Sequence, residues 1–459
     1  IDNSAGVDCS DHEVNLKILL ADAIAKQLID VPERATFLAS LAVEVCDHVL
    51  ENNSSQNETL TLAEAIAGGM VDVHQRLLHW LEERASLDRQ LEALPTDGEL
   101  ARRREAGKGL TRPELAVLLA YVKNSLTEDL VASSLVDEVA FEPLLDAYFP
   151  RDVVERFGAL INAHALRREL TATLVSNVLV NLGGISMVHR LTEETSASVP
   201  DIARAHAAAL RIFDLEARFE QVRALDGIVE PAVQTALKLE IKRLGERATR
   251  WLLRHEPLPI DVDEVVETYE APVAALFEMV EQANRERWAR IAHQLDVAVD
   301  QTDMPSGLQA DLDELDRAFG FLELSEVGRQ TGADLRVVAS VAAELEAAFE
   351  LVWLRKHIAD LPRDDHWLTL ARGTLRDDVY REHAELTAAV VRWMAGHDGS
   401  LDAAGAVEAW SQSHSGSVTR FQAVLEEIRS AGRLDLAGMS VAVRSLSSMA
   451  RMQSKFDDL

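Results

Sequence analysis

A chain of 459 residues exceeds the size at which one hydrophobic core keeps growing, so two or three packed units are expected. With 47% hydrophobic residues, 12 Pro and 22 Gly, its composition is that of a folded, helix-rich protein and argues against disorder. The formal charge of -31, from 46 Lys and Arg against 77 Asp and Glu, repels phosphate backbones and anionic bilayer surfaces, so neither nucleic acid nor a membrane is an expected partner.

Hydrophobic residues recur at spacings of three and four almost throughout, and alternating runs rich in Val, Ile, Thr and aromatics are hardly found. The fold class is therefore all-α, a packed multi-helix bundle. The first helix is expected after Ser10-Asp11-His12-Glu13, an S-x-x-E capping box, and continues through Val14, Ile18, Leu19 and Leu28. Pro32 opens a second, with Phe37, Leu38, Leu41, Val45 and Val49 as its buried stripe. The polar stretch from Glu51 to Glu58 reads as a loop. Thr61-Leu62-Ala63-Glu64 then reads as a capping box for a long helix with a weak point at Gly68-Gly69, reaching Trp80 and Leu81.

The charged segment from Arg84 to Gly109, with Pro95, Gly98 and Gly107, is the expected main boundary, and its basic run Arg102-Arg103-Arg104 with Lys108 reads as solvated surface. Thr111-Arg112-Pro113-Glu114 starts an apolar helix through Leu115, Leu118, Leu119 and Val122. One long helix is expected from Pro150 to the Gly183-Gly184 stop. Others follow from Pro200 to Leu225, Pro231 to His255, Val262 to Leu295, Ala333 to Leu361 and Asp365 to Met394, with a terminal pair beyond Leu401. The expected division is thus 1–90, a linker 91–110, and 111–459, the last splitting near 257–262. Trp80, Trp251, Trp353 and Trp393 sit at helical spacings and are read as core.

Cys9 and Cys46 are too few for a disulfide framework and fit a reducing, cytoplasmic setting. No apolar stretch reaches the roughly 20 residues that span a bilayer. The opening Ile1-Asp2-Asn3-Ser4-Ala5-Gly6 has no Met and no signal peptide, and reads as the start of a piece cut from something longer.

Chemistry is expected in one place. The small residues of Asn3-Ser4-Ala5-Gly6-Val7 lead toward a helix start, an arrangement that lets backbone approach a ligand and aims free N–H groups at a carboxylate or phosphate. Asp8, Asp11, His12 and Glu13 look like metal ligands, but no second His follows at ligand spacing and carboxylates are favoured at a helix start, so no metal is expected. Asn177 to Gly184 lacks the strand and Lys of a phosphate loop and reads as a helix C-cap.

The segment from Asn3 to Asn15 resembles the Asn-Ala-Gly-Gly-Val-x-x-Ser-x-x-Glu motif of glutamate dehydrogenases, and GVDCSDHEVN is similar to the large NAD-dependent bacterial class. TRPELAVLLAYVKNSL (Thr111 to Leu126), YFP (Tyr148 to Pro150), LRRELTATLVSNVLVNLGG (Leu166 to Gly184) and ARAHAAALRIFDL (Ala203 to Leu215) resemble the helical region that follows the dehydrogenase core in that class. Ser4-Ala5, Asp8 and Asp11 depart from the motif, standing where it has Ala-Gly, a Thr and an aromatic.

The resemblance implies that 1–90 ends a catalytic core whose Rossmann domain lies upstream, and that 111–459 is the C-terminal helical domain. It implies NAD as cofactor, L-glutamate and 2-oxoglutarate as substrate and product, and a homo-oligomer. It places Asn3 against the nicotinamide carboxamide, Gly6 and Val7 beside nicotinamide and substrate, and Ser10 on the substrate's side-chain carboxylate. A helix-cap role for Ser10 is compatible with that contact. No catalytic residue is identifiable in the chain, so the fragment alone is expected to be inactive, serving structure and oligomerisation. Alternatives are a regulatory or partner-binding helical module and an unrelated helical scaffold.

Overall fold

The structure, a computed structural model, describes residues 2–295, 315, 318–361, 366–397, 401–432 and 434–450, and leaves the side chains of 2–5, 280–295 and 366 outside the description. Among the described residues there are helices and no strands. They fall into two compact units, residues 1–266 and 267–459.

The first unit opens with α1 (Asp2–Ala25), α2 (Val31–Ser40) and α3 (Ala42–Ile66). Ring and amide contacts pair His12 with His48 and Asp8 with Asn52, so α1 and α3 run antiparallel. A 3-10 turn, Ala67–Met70, separates α3 from α4 (Val71–Arg84), as the Gly68-Gly69 weak point leads one to expect. Next come α5 (Asp97–Glu105), α6 (Arg112–Val131), α7 (Glu142–Tyr148), α8 (Arg151–Ile161) and α9 (Arg167–Val178). A π turn over Leu179–Gly183 leads to α10 (Met187–Thr195), α11 (Val199–Ile212), α12 (Leu215–Arg223), α13 (Pro231–His255) and the start of α14 (Val262–Leu295), whose residues from Glu267 on belong to the second unit.

Several boundaries follow local signals. Thr111 and Glu114 form the expected capping box at α6. Gly184, at φ 105°, ends the π turn in a conformation that L side chains rarely adopt. Gly109 lies so close to the Ala67 backbone that an added Cβ would sit 2.2 Å from it, which holds the 106–110 loop against the 3-10 turn.

Other expectations are corrected. Glu51–Glu58 is helix, inside α3, so Thr61 and Glu64 cap nothing. Its polar side chains have distant partners that no turn signal reveals: Asn52 donates to Asp8 and Glu58 receives Arg223. The helix expected from Pro150 to Gly184 breaks at 162–166, where His164 Nδ1 accepts from the N–H of Leu166. The one expected over 200–225 breaks at Asp214, which is left-handed (φ 48°).

The second unit contains α15 (Gly320–Thr331), α16 (Leu335–Ala348), α17 (Leu351–Ala359), α18 (His366–Ala395), α19 (Ala403–Ser413), α20 (Ser415–Ser430) and α21 (Leu436–Ala450). The expected helix over 333–361 is divided by left-handed Glu350, and three helices stand where a terminal pair was expected. α18 runs through the middle, touching α15, α16, α17, α19 and α21. Its Val379, Leu386 and Val390 share a core with Phe349, Trp410 and Phe421. Of the tryptophans read as core, Trp251 is buried, while Trp80, Trp353 and Trp393 are only partly so.

No single described helix is long and apolar enough to cross a membrane. The apolar pair formed by α9 with its π turn and α10 is bent by 89° and packs against α6, α7, α11 and α13.

Candidate active-site segment

Residues 2–25 are helical, so the segment expected to be a ligand-facing turn is the first two turns of α1, and Ser10 lies inside the helix rather than capping it. The physical reason is that nothing in the segment breaks a helix except Gly6, which costs about 1 kcal/mol relative to Ala. Its buried edge also has partners. Backbone N–H groups beyond the first turn are therefore engaged within the helix.

At about 100° per residue the segment divides into two edges. Leu16, Leu19 and Leu20 face the core with His12 and Asn15, packing with Phe149, Val153 and Phe157. Gly6, Val7, Ser10 and Val14 lie on the opposite edge and are exposed. A Cβ placed on Gly6 meets nothing within 4 Å, so that edge has room for a ligand to come close. The side chain of Asn3 lies outside the described residues.

The buried edge is held by a polar network. Tyr148 donates to Asp11 Oδ2 at 2.8 Å and accepts from Asn15 Nδ2 at 2.9 Å, and the same amide reaches Asp11 Oδ1 at 3.2 Å. His12 stacks on the Tyr148 ring at 4.2 Å. His164 Nε2 lies 3.1 Å from the Asn15 carbonyl; because Nδ1 of the same ring accepts from Leu166, Nε2 carries the proton and donates. One turn earlier, Asn52 donates to Asp8 Oδ2 at 2.8 Å.

Burial, helped by His48, lowers the His12 imidazole below its ordinary pKa and keeps it neutral. Burial and the Asp11 carboxylate push the Tyr148 phenol well above its ordinary value, so it remains a donor. Burial lowers the Lys123 ammonium on α6, and the Asp8 carboxylate acts against that shift.

Asp8 and Asp11 thus serve as acceptors for neighbouring side chains, and no group of three or more metal-ligating side chains occurs among the described residues. The exposed edge presents an open glycine, an apolar valine and a serine hydroxyl. Sequence reasoning assigned no role to Tyr148, Asn52, His164 or Lys123. YFP at Tyr148 was visible only as part of a resemblance, and Asn52 lay in the run read as loop.

A second polar layer joins α3 to α12, α13 and the π turn. Glu58 receives Arg223 at 2.8 Å and also Lys238. Burial alone would raise this carboxyl, but the hydrogen bonds from Arg223 and Lys238 outweigh it and hold the pKa low. Lys242 donates to Asn181 O at 3.1 Å, and burial lowers its pKa to about 8. An open groove of about 630 Å³ lies at the α4–α5 junction, where Arg89 is neutralised by Glu82 and Asp97.

Comparison with known proteins places these segments. Residues 107–448 match the family model described as glutamate dehydrogenase, C-terminal, and residues 1–63 match that of the bacterial NAD-glutamate dehydrogenase catalytic domain. The chain is 36% identical over 456 residues to a Pseudomonas aeruginosa protein named NAD-specific glutamate dehydrogenase, covering 98% of this chain and 28% of the relative. Proteins of the same name from Halomonas elongata and Mycobacterium tuberculosis are 34% and 33% identical, each over 99% of this chain and 28% of their own length. The chain therefore spans about 28% of the length of these curated relatives. With the helical region matched over most of its length and the α1–α3 segment matched to a catalytic domain, the chain belongs to the glutamate dehydrogenase C-terminal family.

Proposed function

We propose that this chain is the C-terminal region of an enzyme that converts L-glutamate, NAD and water to 2-oxoglutarate, ammonia and NADH in amino-acid catabolism. In this reading residues 1–90 end the catalytic core, 91–110 link, and 111–459 brace the core and supply contacts in a cytoplasmic homo-oligomer. Asn3 and Gly6 border the nicotinamide, Val7 the substrate, and Ser10 the glutamate side-chain carboxylate. NAD accepts the hydride; this chain contributes a wall that binds and orients, while the groups that move protons belong to the rest of the enzyme.

One observation carries the reading. Val7, Val14, Leu28, Val31, Val43 and Leu50 are six of the seventeen exposed large apolar side chains among the described residues, and all fall within the stretch that matches a catalytic domain. Val43 is 73% exposed and Val7 67%, and α2 buries no residue at all. Large apolar side chains left exposed at this density along one short stretch support a segment that another part of a protein covers. The remainder of the dehydrogenase domain is the occupant that the family match supplies.

The test compares the full-length protein with residues 1–459 alone, following NADH formation from glutamate and NAD. The full-length protein is expected to turn over and the isolated chain is not. A full-length protein that does not reduce NAD with glutamate overturns the reading. Ser10→Ala in the full-length enzyme is expected to raise KM for glutamate by about tenfold, as for loss of a hydrogen bond to a charged group of about 1.5 kcal/mol.

A further inference from the structure

We propose that Tyr148 is a positioning residue for the ligand-facing edge of α1, an inference that rests on the function proposed above. In the segment 6–17, α1 is buried along one edge only, so its rotation about its own axis decides where Gly6, Val7 and Ser10 point on the other. Beside the apolar packing of Leu16, Leu19 and Leu20, one side chain of α7 holds that rotation by hydrogen bonds. The Tyr148 hydroxyl accepts from Asn15 at 2.9 Å and donates to Asp11 at 2.8 Å, and Asn15 closes the triangle on Asp11 at 3.2 Å. The ring lies nearly parallel to His12, at 11° and 4.2 Å. Asp11, exposed at the rim, and His12 and Asn15 on the buried edge are thereby tied to a single side chain.

The tyrosine is itself held. It is the last residue of α7; the next, Phe149, is extended (φ -87°, ψ 145°), buried, and edge-on to the Tyr148 ring at 5.0 Å. Of the further clamps on α1, Asn52 on Asp8 comes from within the stretch 1–63, and His164, which donates to the Asn15 carbonyl, from the same helical region as Tyr148. Tyr148 comes from the C-terminal helical family, so it is a point where that region bears directly on the catalytic-domain segment. Asp11 is also one of the positions at which this sequence departs from the motif it resembles. With a helix radius, side chains included, of about 5–6 Å, a rotation of about 10° moves the far edge by about 1 Å. Displacement on that scale costs up to about 100-fold in rate when the moved group positions a reactant.

The experiment uses the full-length enzyme. Tyr148→Phe keeps the ring against His12 and removes both hydroxyl contacts; Asp11→Asn alters the same triangle from the other side. Tyr121→Phe, whose hydroxyl bonds only the side chain of Glu92 on the described surface, is the control. kcat, KM for glutamate, KM for NAD and melting temperature are measured for each, at a temperature well below every transition. Tyr148→Phe is expected to lower kcat/KM for glutamate about 5- to 20-fold with little change in melting temperature, and the Tyr148→Phe/Asp11→Asn double variant to fall little further, because both act through one triangle. Constants within twofold of wild type for both single variants overturn the proposal, as do multiplicative losses in the double variant. An inactive wild-type enzyme overturns the underlying functional reading and this inference with it, whereas an active wild type with unaffected variants overturns this inference alone.

Discussion

His206 Nδ1 lies 3.1 Å from Thr249 Oγ1, and Thr249 donates its own proton to the Gly245 carbonyl at 2.7 Å. The imidazole must therefore carry its proton on Nδ1, leaving Nε2 buried with no hydrogen-bond partner. Burial, with Lys242 nearby, lowers the His206 pKa to about 4. Burial does the same to His74, beside Arg190, and to His383, beside Arg355.

Each of these histidines has a folded pKa below its unfolded value, so between about pH 6.5 and 4 the unfolded chain binds more protons. Their contribution to stability is complete above pH 6.5 and is lost progressively as pH falls toward 4. For a shift from 6.5 to about 4 the loss approaches about 3 kcal/mol per histidine, with about 2 kcal/mol already gone at pH 5. Thermal unfolding followed by circular dichroism at pH 7.5 and pH 5 should show a marked fall in melting temperature. His206→Asn, which retains a donor for Thr249 but does not titrate, should reduce the pH slope by about one proton. Equal melting temperatures at the two pH values would rule the mechanism out.

Glu58 offers a second test, since it receives Arg223 and Lys238 in a half-buried site near Lys242. Removing the carboxylate strips Lys238 of the group it donates to and leaves Arg223 with Glu220 alone; breaking a buried pair typically costs about 3–5 kcal/mol, and less here because the site is partly exposed. Glu58→Ala is expected to lower stability by about 2–3 kcal/mol in urea titration. Glu58→Ala/Lys238→Met should recover part of that loss; a double variant less stable than the single would show that repulsion among the cations is not the cause.

Glu58 also shows where sequence legibility ends. Elements announced by local signals, such as α13 with Pro231 at its first position and α6 with its Thr111–Glu114 box, were readable at their boundaries. The 51–58 run failed because its polar side chains are satisfied across the fold: Glu58 meets Arg223, 165 residues away. The breaks at Asp214 and Glu350 use left-handed residues other than Gly, which no local motif marks. In the candidate site, Gly6, Val7 and Ser10 are singled out by a resemblance, while the small residues around them suggest a turn where the chain is helical. The Tyr148 triangle joins residues 133 and 137 apart and had no sequence signal of its own. One signal that the sequence does carry is Trp-x-x-x-His, which recurs at Trp251–His255, Trp353–His357, Trp393–His397 and Trp410–His414. In each pair the His packs against the Trp ring, and its Nδ1 lies 2.8–2.9 Å from the Trp carbonyl, at or near a helix end.

Two glycines should respond in opposite ways. A Cβ at Gly109 would lie 2.2 Å from the Ala67 backbone, and backbone cannot swing aside as a side chain can. Gly109→Ala is expected to cost about 2–3 kcal/mol through overpacking. At Gly69 nothing lies within 4 Å, and Gly69→Ala should be neutral or gain up to about 1 kcal/mol by restricting the unfolded chain. Denaturant midpoints decide it, and a Gly109→Ala midpoint equal to wild type would mean that the loop does not hold its close approach in solution.

Under the function proposed above, the exposed apolar side chains of the α1–α3 segment should behave differently in the isolated chain and in the full-length protein. Val43 and Leu50 lie seven residues apart on α3, two turns along one edge, and both are well exposed in the chain by itself. If the rest of the dehydrogenase domain covers them, each contributes about 1.5–3 kcal/mol of burial in the whole enzyme and nothing in the fragment. Val43→Thr/Leu50→Gln should therefore leave the melting temperature of residues 1–459 nearly unchanged and reduce its self-association in sedimentation, because less apolar surface is presented to solvent. The same pair in the full-length protein should lower the melting temperature and glutamate-dependent NADH formation together. A full-length variant as stable and as active as wild type would mean that this edge stays in water throughout, and that Val43 and Leu50 of α3 have no partner in the full-length protein.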